Sequence, residues 1–174
     1  MGLHGYVGYM PEPRATQDVD VLVPYSQRTG ARKAIAEKWP GLAVQELSQV
    51  IRFKDPADRD STGNPKPIID LMLPWSPFQE TILQDYVVVD AQTGHRLPTV
   101  EAALVSKYAS MVSPHRDRDK KEYDIGDFRR IVRANHDRLD ATALDRLAGL
   151  VWENGAEEIK RFVAIALSDK PFPI

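Results

Sequence analysis

A chain of 174 residues, 43% hydrophobic and 28% charged, has the size and make-up of one folded domain with a core of its own. A formal net charge of −2 gives no general attraction to nucleic acid or anionic membrane, and the absence of cysteine excludes disulfides and thiolate chemistry. No apolar run reaches the ~18 residues of a membrane span, and MGLHGYVGYM lacks the basic and long apolar segments of a signal peptide. A soluble, cytoplasmic domain is expected.

The first half reads as alternating helix and strand. Asp18 to Pro24 is a strand in which Val19, Val21 and Val23 share one face, leaving Asp18, Asp20 and Leu22 on the other. Ser26 to Lys38 has helical spacing of Ala31, Ala34 and Ile35, and Trp39-Pro40-Gly41 ends it. Leu42 to Lys54 holds one or two strands, clearest at Val50, Ile51 and Phe53. Asp55 to Pro67, dense in Pro, Gly, Asp and Ser, is expected as an exposed hairpin connection. Ile68 to Leu73 is a strand stopped by Pro74. Tyr86 to Asp90 is another, followed by a turn at Thr93-Gly94 and a short extended piece to Pro98.

The second half is helical. Thr99 begins a helix to Val112 with half a capping box, since Ala102 stands where the reciprocal acid would be. Ser113-Pro114-His115 breaks it, and further helices are expected over 120–135, 141–152 and 156–167. The expected fold class is α+β: a mixed sheet flanked by helices over residues 1–98, then a helical part over 99–174 with no linker between. No repeat or low-complexity tract is present.

Two carboxylates side by side on a strand repel, and removing them from water costs several kcal/mol each without compensation. A divalent cation is the simplest compensation, and magnesium typically takes one or two carboxylates plus substrate phosphates. Asp70 interrupts the apolar strand PIIDLML. If that strand adjoins the Asp18 strand, Asp18, Asp20 and Asp70 converge, and such a triad can hold two metal ions for in-line displacement on a triphosphate. Acids at strand ends are also ordinary turn formers and solvated edge charges, and D-x-D alone is a weak signal.

RATQDVDVLV resembles the R-x-T-x-D-[IV]-D-hydrophobic signature of minimal nucleotidyltransferases of the DNA polymerase beta superfamily, and among them the AbiEii-type branch, which includes toxins of toxin–antitoxin systems. HGY at residues 4–6 resembles the segment ahead of that signature, and IIDLML the strand bearing the third acid. LPTVEAALVSKYASM resembles the helix whose lysine faces the site, and KEYDIGDF the following segment, with Asp124 and Asp127 matching its acids. The likeness spans residues 4–133. It implies Mg2+ at Asp18, Asp20 and Asp70, a nucleoside triphosphate as substrate, Lys107 at the phosphates, and transfer of a nucleoside monophosphate to an acceptor hydroxyl. RNA or tRNA as acceptor and an antitoxin protein as partner follow from the same likeness.

The relatives carry a strand and a Gly-Gly or Gly-Ser turn ahead of the helix that precedes the D-x-D strand, and that turn's N–H groups grip phosphate. Here MGLHGY falls where that helix is already under way. A start further upstream restores the enzyme reading. Loss of the turn instead leaves a non-catalytic binding module of the same fold, with an open sheet edge inviting a homo-oligomer.

Other residues carry two readings each. Arg14 holds a phosphate or is a surface arginine, and Thr16 orients a carboxylate or forms a turn. Lys107 shares a helix column with Val100, Leu104 and Met111, so it either snorkels to the surface or faces a cleft. Asp124 and Asp127, three apart, position Lys107, accept a proton from an attacking hydroxyl, or form a solvated face with Lys120, Lys121, Arg129 and Arg130. Residues 115–121 read as an exposed loop of mixed charge. His4, His95 and His136 lack ligand spacing, which leaves a metal-dependent hydrolase without support. The three tryptophans are expected in the core or at element ends.

Overall fold

The computed structural model describes residues 5–12, 16 and 18–173. The described residues form two compact units: residues 16 and 18–75, and residues 76–173 with 5–12. The division falls after Trp75, ahead of the switch expected near Pro98. The strand pair of residues 87–98 belongs with the helices because it packs against them.

The first unit is a four-stranded mixed sheet with one helix. Its strands β1 (Val19–Leu22), β2 (Ala43–Glu46), β3 (Val50–Arg59) and β4 (Pro65–Met72) lie in the order β1-β4-β3-β2. β1 runs parallel to β4, and β3 is antiparallel to both of its neighbours. Alternation places Ile51, Phe53, Ile69 and Leu71 on one face, all buried, and α1 (Arg28–Lys38) covers them through Ala31, Ile35 and Ala36. β1 is an edge strand among the described residues, and Val19 and Val21 on that same face stay 36% exposed.

The exposed connection expected over 55–67 is mostly strand. β3 and β4 extend through it, with register irregularities at Phe53/Lys54 and between Asp55 and Arg59 that accommodate the prolines. The turn itself is only residues 60–64. The Asp60 carboxylate accepts from the backbone N–H of Thr62 and Asn64, and Gly63 adopts φ +83°, a conformation that favours glycine.

The second unit opens with a 3-10 turn (Val7–Tyr9) and contains α2 (Pro77–Asp85), the hairpin β5 (Val87–Val89) and β6 (Arg96–Pro98), and helices α3 (Val100–Val112), α4 (Arg118–Asn135), α5 (Ala141–Gly149) and α6 (Gly155–Ala166). α2 was not anticipated, although Ser76-Pro77 ahead of Phe78 and Ile82 is a helix start with proline in the first turn. α3 is the central helix: Leu104, Val105, Tyr108 and Met111 are fully buried. Thr99 caps it by accepting from the Ala102 N–H. α4 begins two residues before its expected start because the Asp117 side chain caps it, so the mixed-charge run is helical in its second part.

Residues 168–172 are bound to the helices. Arg129 donates to the carbonyls of Ser168 and Lys170, Arg133 donates to those of Ala166 and Ser168, and Phe172 packs edge-on against Phe128 and Phe162. The tryptophans sit at element ends, with Trp39, Trp75 and Trp152 all exposed. His95 and His136 are exposed too.

Candidate functional site

Asp20 and Asp70 stand on the sheet face opposite α1. Register pairs Asp20 with Asp70 across β1 and β4, and Asp70 with Arg52 across β4 and β3. Three side chains thus form a row across adjacent strands, ~4.8 Å apart from strand to strand. Asp18 precedes β1 with the parity of Asp20, and its Oδ1 accepts from Thr16 Oγ1 at 2.8 Å. Thr16 therefore fixes the orientation of the first acid. Arg14 lies outside the described residues.

Arg52 was not singled out in the sequence. Its Nε and Nη2 donate to both Asp70 oxygens, at 2.9 Å to Oδ1 and 2.9 Å to Oδ2. This bidentate pair holds the guanidinium more firmly protonated than usual, chiefly through the bond to Asp70, with Asp18 and Asp20 adding attraction. Compensation of the acid row, expected from a metal ion, is thus supplied in part by an arginine. The signal lay in VIRFK, where Arg52 falls between the inward Ile51 and Phe53 and so points to the other face. Its pairing with Asp70 needs the cross-strand register, which sequence alone does not supply.

A fit to magnesium depends on which acids are counted. Among the described residues, no group of three His, Cys, Asp or Glu side chains is arranged to hold a metal ion. Both oxygens of Asp70 accept from Arg52, so the third acid expected from the sequence lies beside Asp20 but in a bidentate ion pair. Asp18 and Asp20 fit the two-carboxylate pattern that magnesium uses when phosphates complete its shell.

On the α1 side of the sheet, an apolar groove of about 660 Å³ is lined by Val19, Val21, Ile35, Trp39 and Leu42 among others. The acid row is not part of it.

The second unit contains an ionic cluster around Lys107. Lys107 Nζ lies 2.9 Å from Asp124 Oδ1 and 2.9 Å from Asp127 Oδ2, and 5.1 Å from the centre of the Tyr6 ring. Arg116 pairs with Asp124 at 2.8 Å, and Arg130 approaches Asp127 at 3.5 Å. Lys107 is 6% exposed, Asp124 2% and Asp127 0%. The solvated face open to the two acids is therefore excluded, and the lysine neither snorkels nor stands in an open cleft. Of the roles weighed for Asp124, holding Lys107 is the one this geometry carries. A proton acceptor for an incoming hydroxyl would need an accessible oxygen.

The mixed sheet followed along the chain by helices is a nucleotidyltransferase-like fold, on its likeness to a solved structure. The chain is similar to the crystal structure of an antigenic nucleotidyltransferase-like protein from Paracoccidioides brasiliensis, with a TM-score of 0.50 and 18% identity over 96% of this chain and 82% of that one. No family model and no curated protein sequence matches the chain. No helix among the described residues is long and apolar enough to cross a membrane.

Proposed function

We propose that this protein binds a nucleoside triphosphate with magnesium at Asp18 and Asp20 and transfers its nucleoside monophosphate to an acceptor hydroxyl. The observation that supports it is the placement of Asp20 beside Asp70 on one face of a nucleotidyltransferase-like sheet. Bound magnesium would supply positive charge to the phosphates and orient the reacting oxygens. The chain's own residues prepare the site: Thr16 donates to Asp18, and Arg52 pairs with Asp70. RNA or tRNA as acceptor, and a toxin role with an antitoxin partner, are supported by the resemblance of residues 4–133 to the AbiEii-type branch.

A second reading is favoured by the Arg52–Asp70 pair: a binding module of the same fold in which the third acid has become structural. Calorimetry with nucleoside triphosphates and magnesium separates the two, comparing the native chain with the double variant Asp18→Ala/Asp20→Ala. The catalytic reading expects binding that the double variant loses, and transfer of label from an α-labelled nucleotide to RNA. Absent binding, or binding indifferent to both substitutions, overturns it.

A further inference from the structure

We infer that the second unit carries a peptide-binding site for a Gly-Tyr-x-x-Tyr-Met segment, filled here by the chain's own residues 5–10 and open to the same residues of a second copy. Residues 5–10 belong to the second unit, yet the chain after them builds the first unit before it returns at Ser76. Their own contacts therefore hold them in place, as a ligand is held. A Cβ on Gly5 would lie 3.2 Å from the Pro98 side chain, tighter than ordinary contact, so the first position favours glycine. Tyr6 and Met10 are buried. The Tyr6 ring centre lies 5.1 Å from Lys107 Nζ, and the Tyr9 ring centre 5.8 Å from the Arg138 guanidinium, which favours an aromatic ring at both places. Asn135 Nδ2 donates to the Tyr9 carbonyl at 2.8 Å, and the Tyr9 hydroxyl donates to the Pro98 carbonyl at 2.8 Å. The Asn135 amide is itself buried and set by α4: it donates to the Ile131 carbonyl and accepts from Arg138. The donor is thus aimed by residues outside the segment, which is preorganisation of the kind a binding site needs. Tethering gives the resident segment a concentration advantage over one from another copy, so exchange between copies follows once the resident is weakened.

The test uses the full chain with its own segment weakened, Tyr6→Ala/Tyr9→Ala, and a fluorescent peptide of residues 5–12, GYVGYMPE, followed by anisotropy. The variant is expected to bind the peptide, and the native chain to bind it at least about tenfold more weakly because its site is filled. A peptide of the same composition in scrambled order should not bind. Adding Asn135→Ala to the variant is expected to lower affinity about tenfold, through loss of one hydrogen bond to the peptide backbone. Gly5→Val stands in should circular dichroism show the double variant unfolded, because it crowds Pro98 and leaves the site's own residues unchanged. The second copy as source is tested by mixing Tyr6→Ala/Tyr9→Ala with Asn135→Ala, whose site is impaired and whose segment is intact. Sedimentation velocity is expected to show a mixed dimer that neither variant forms by itself. Equal peptide binding in all variants, or none in the weakened ones, overturns the site. Loss of fold in both weakened variants overturns it too, since the segment would then be core rather than occupant. Peptide binding without a mixed dimer overturns the second copy as its source.

Discussion

Lys107 combines a full charge with almost complete burial, and it is held by two carboxylates that are buried even more deeply. Removing one partner from such a cluster is strongly destabilising, because the two buried acids lose the buried cation they share and keep only the more exposed Arg116 and Arg130. Lys107→Met is expected to lower unfolding free energy by about 3–5 kcal/mol, measured by chemical denaturation. Loss below about 1 kcal/mol would mean that Arg116 and Arg130 already satisfy both acids. Tyr108 gives a pH-dependent counterpart. Burial, with the Glu158 carboxylate that accepts from its hydroxyl, holds its pKa above the usual 10.0. The fold therefore favours the neutral phenol, and its contribution is complete below pH ~10 and lost as pH rises beyond that. Tyr108→Phe should be about 1 kcal/mol less stable than the native chain near neutrality. The denaturation midpoints of the two should converge above pH 10. At this scale the sequence showed which residues carry charge but not which charges meet. Lys107 could be placed on an apolar column, whereas its burial depends on α4 bringing two acids over it, and Arg52 acquires meaning only from the strand beside it.

Elements were legible wherever a local pattern decided them. The 2-residue alternation of β1, the cap at Thr99 and the apolar column of α3 are all properties of neighbouring residues, and each reappears in the structure. The long β3–β4 pair was obscured because Pro56, Pro65 and Pro67 read as breakers. Irregular register lets the ladder pass them, a tertiary solution without a sequence signature. α5 and α6 are joined by a short turn whose closeness has a specific cause. A Cβ on Gly155 would lie 1.9 Å from the carbonyl oxygen of Ala148, so only glycine permits the second helix to start there. Gly155→Ala is expected to cost at least about 1–3 kcal/mol through forced separation of the two helices, read as a fall in melting temperature. An unchanged melting temperature would show that the turn relaxes freely.

At the scale of the whole molecule, each unit has its own buried centre. Hydrogen exchange should be slowest at Ile51, Phe53 and Leu71 in the first unit and at Leu104 and Tyr108 in the second, where burial is complete. Mass-spectrometric exchange would contradict this if those peptides were labelled as fast as α1, which has no buried residue. Fold class was accessible from sequence because strands precede helices along most of the chain. The point of division was not, since a hairpin reads the same whether it joins a sheet or a bundle.

The anchoring of residues 168–172 makes that segment part of the helical unit's structure. Two guanidinium groups grip backbone carbonyls, and Arg133 adds a bond to the Asp169 side chain at 3.1 Å, so substitutions at Ser168, Lys170 and Pro171 leave most of that grasp intact. Cleavage between Ser168 and Phe172 by a broad-specificity endoprotease should accordingly be slow, because the Phe172 ring packs on Phe128 and Phe162, and should become fast once Phe172 is replaced by Ala.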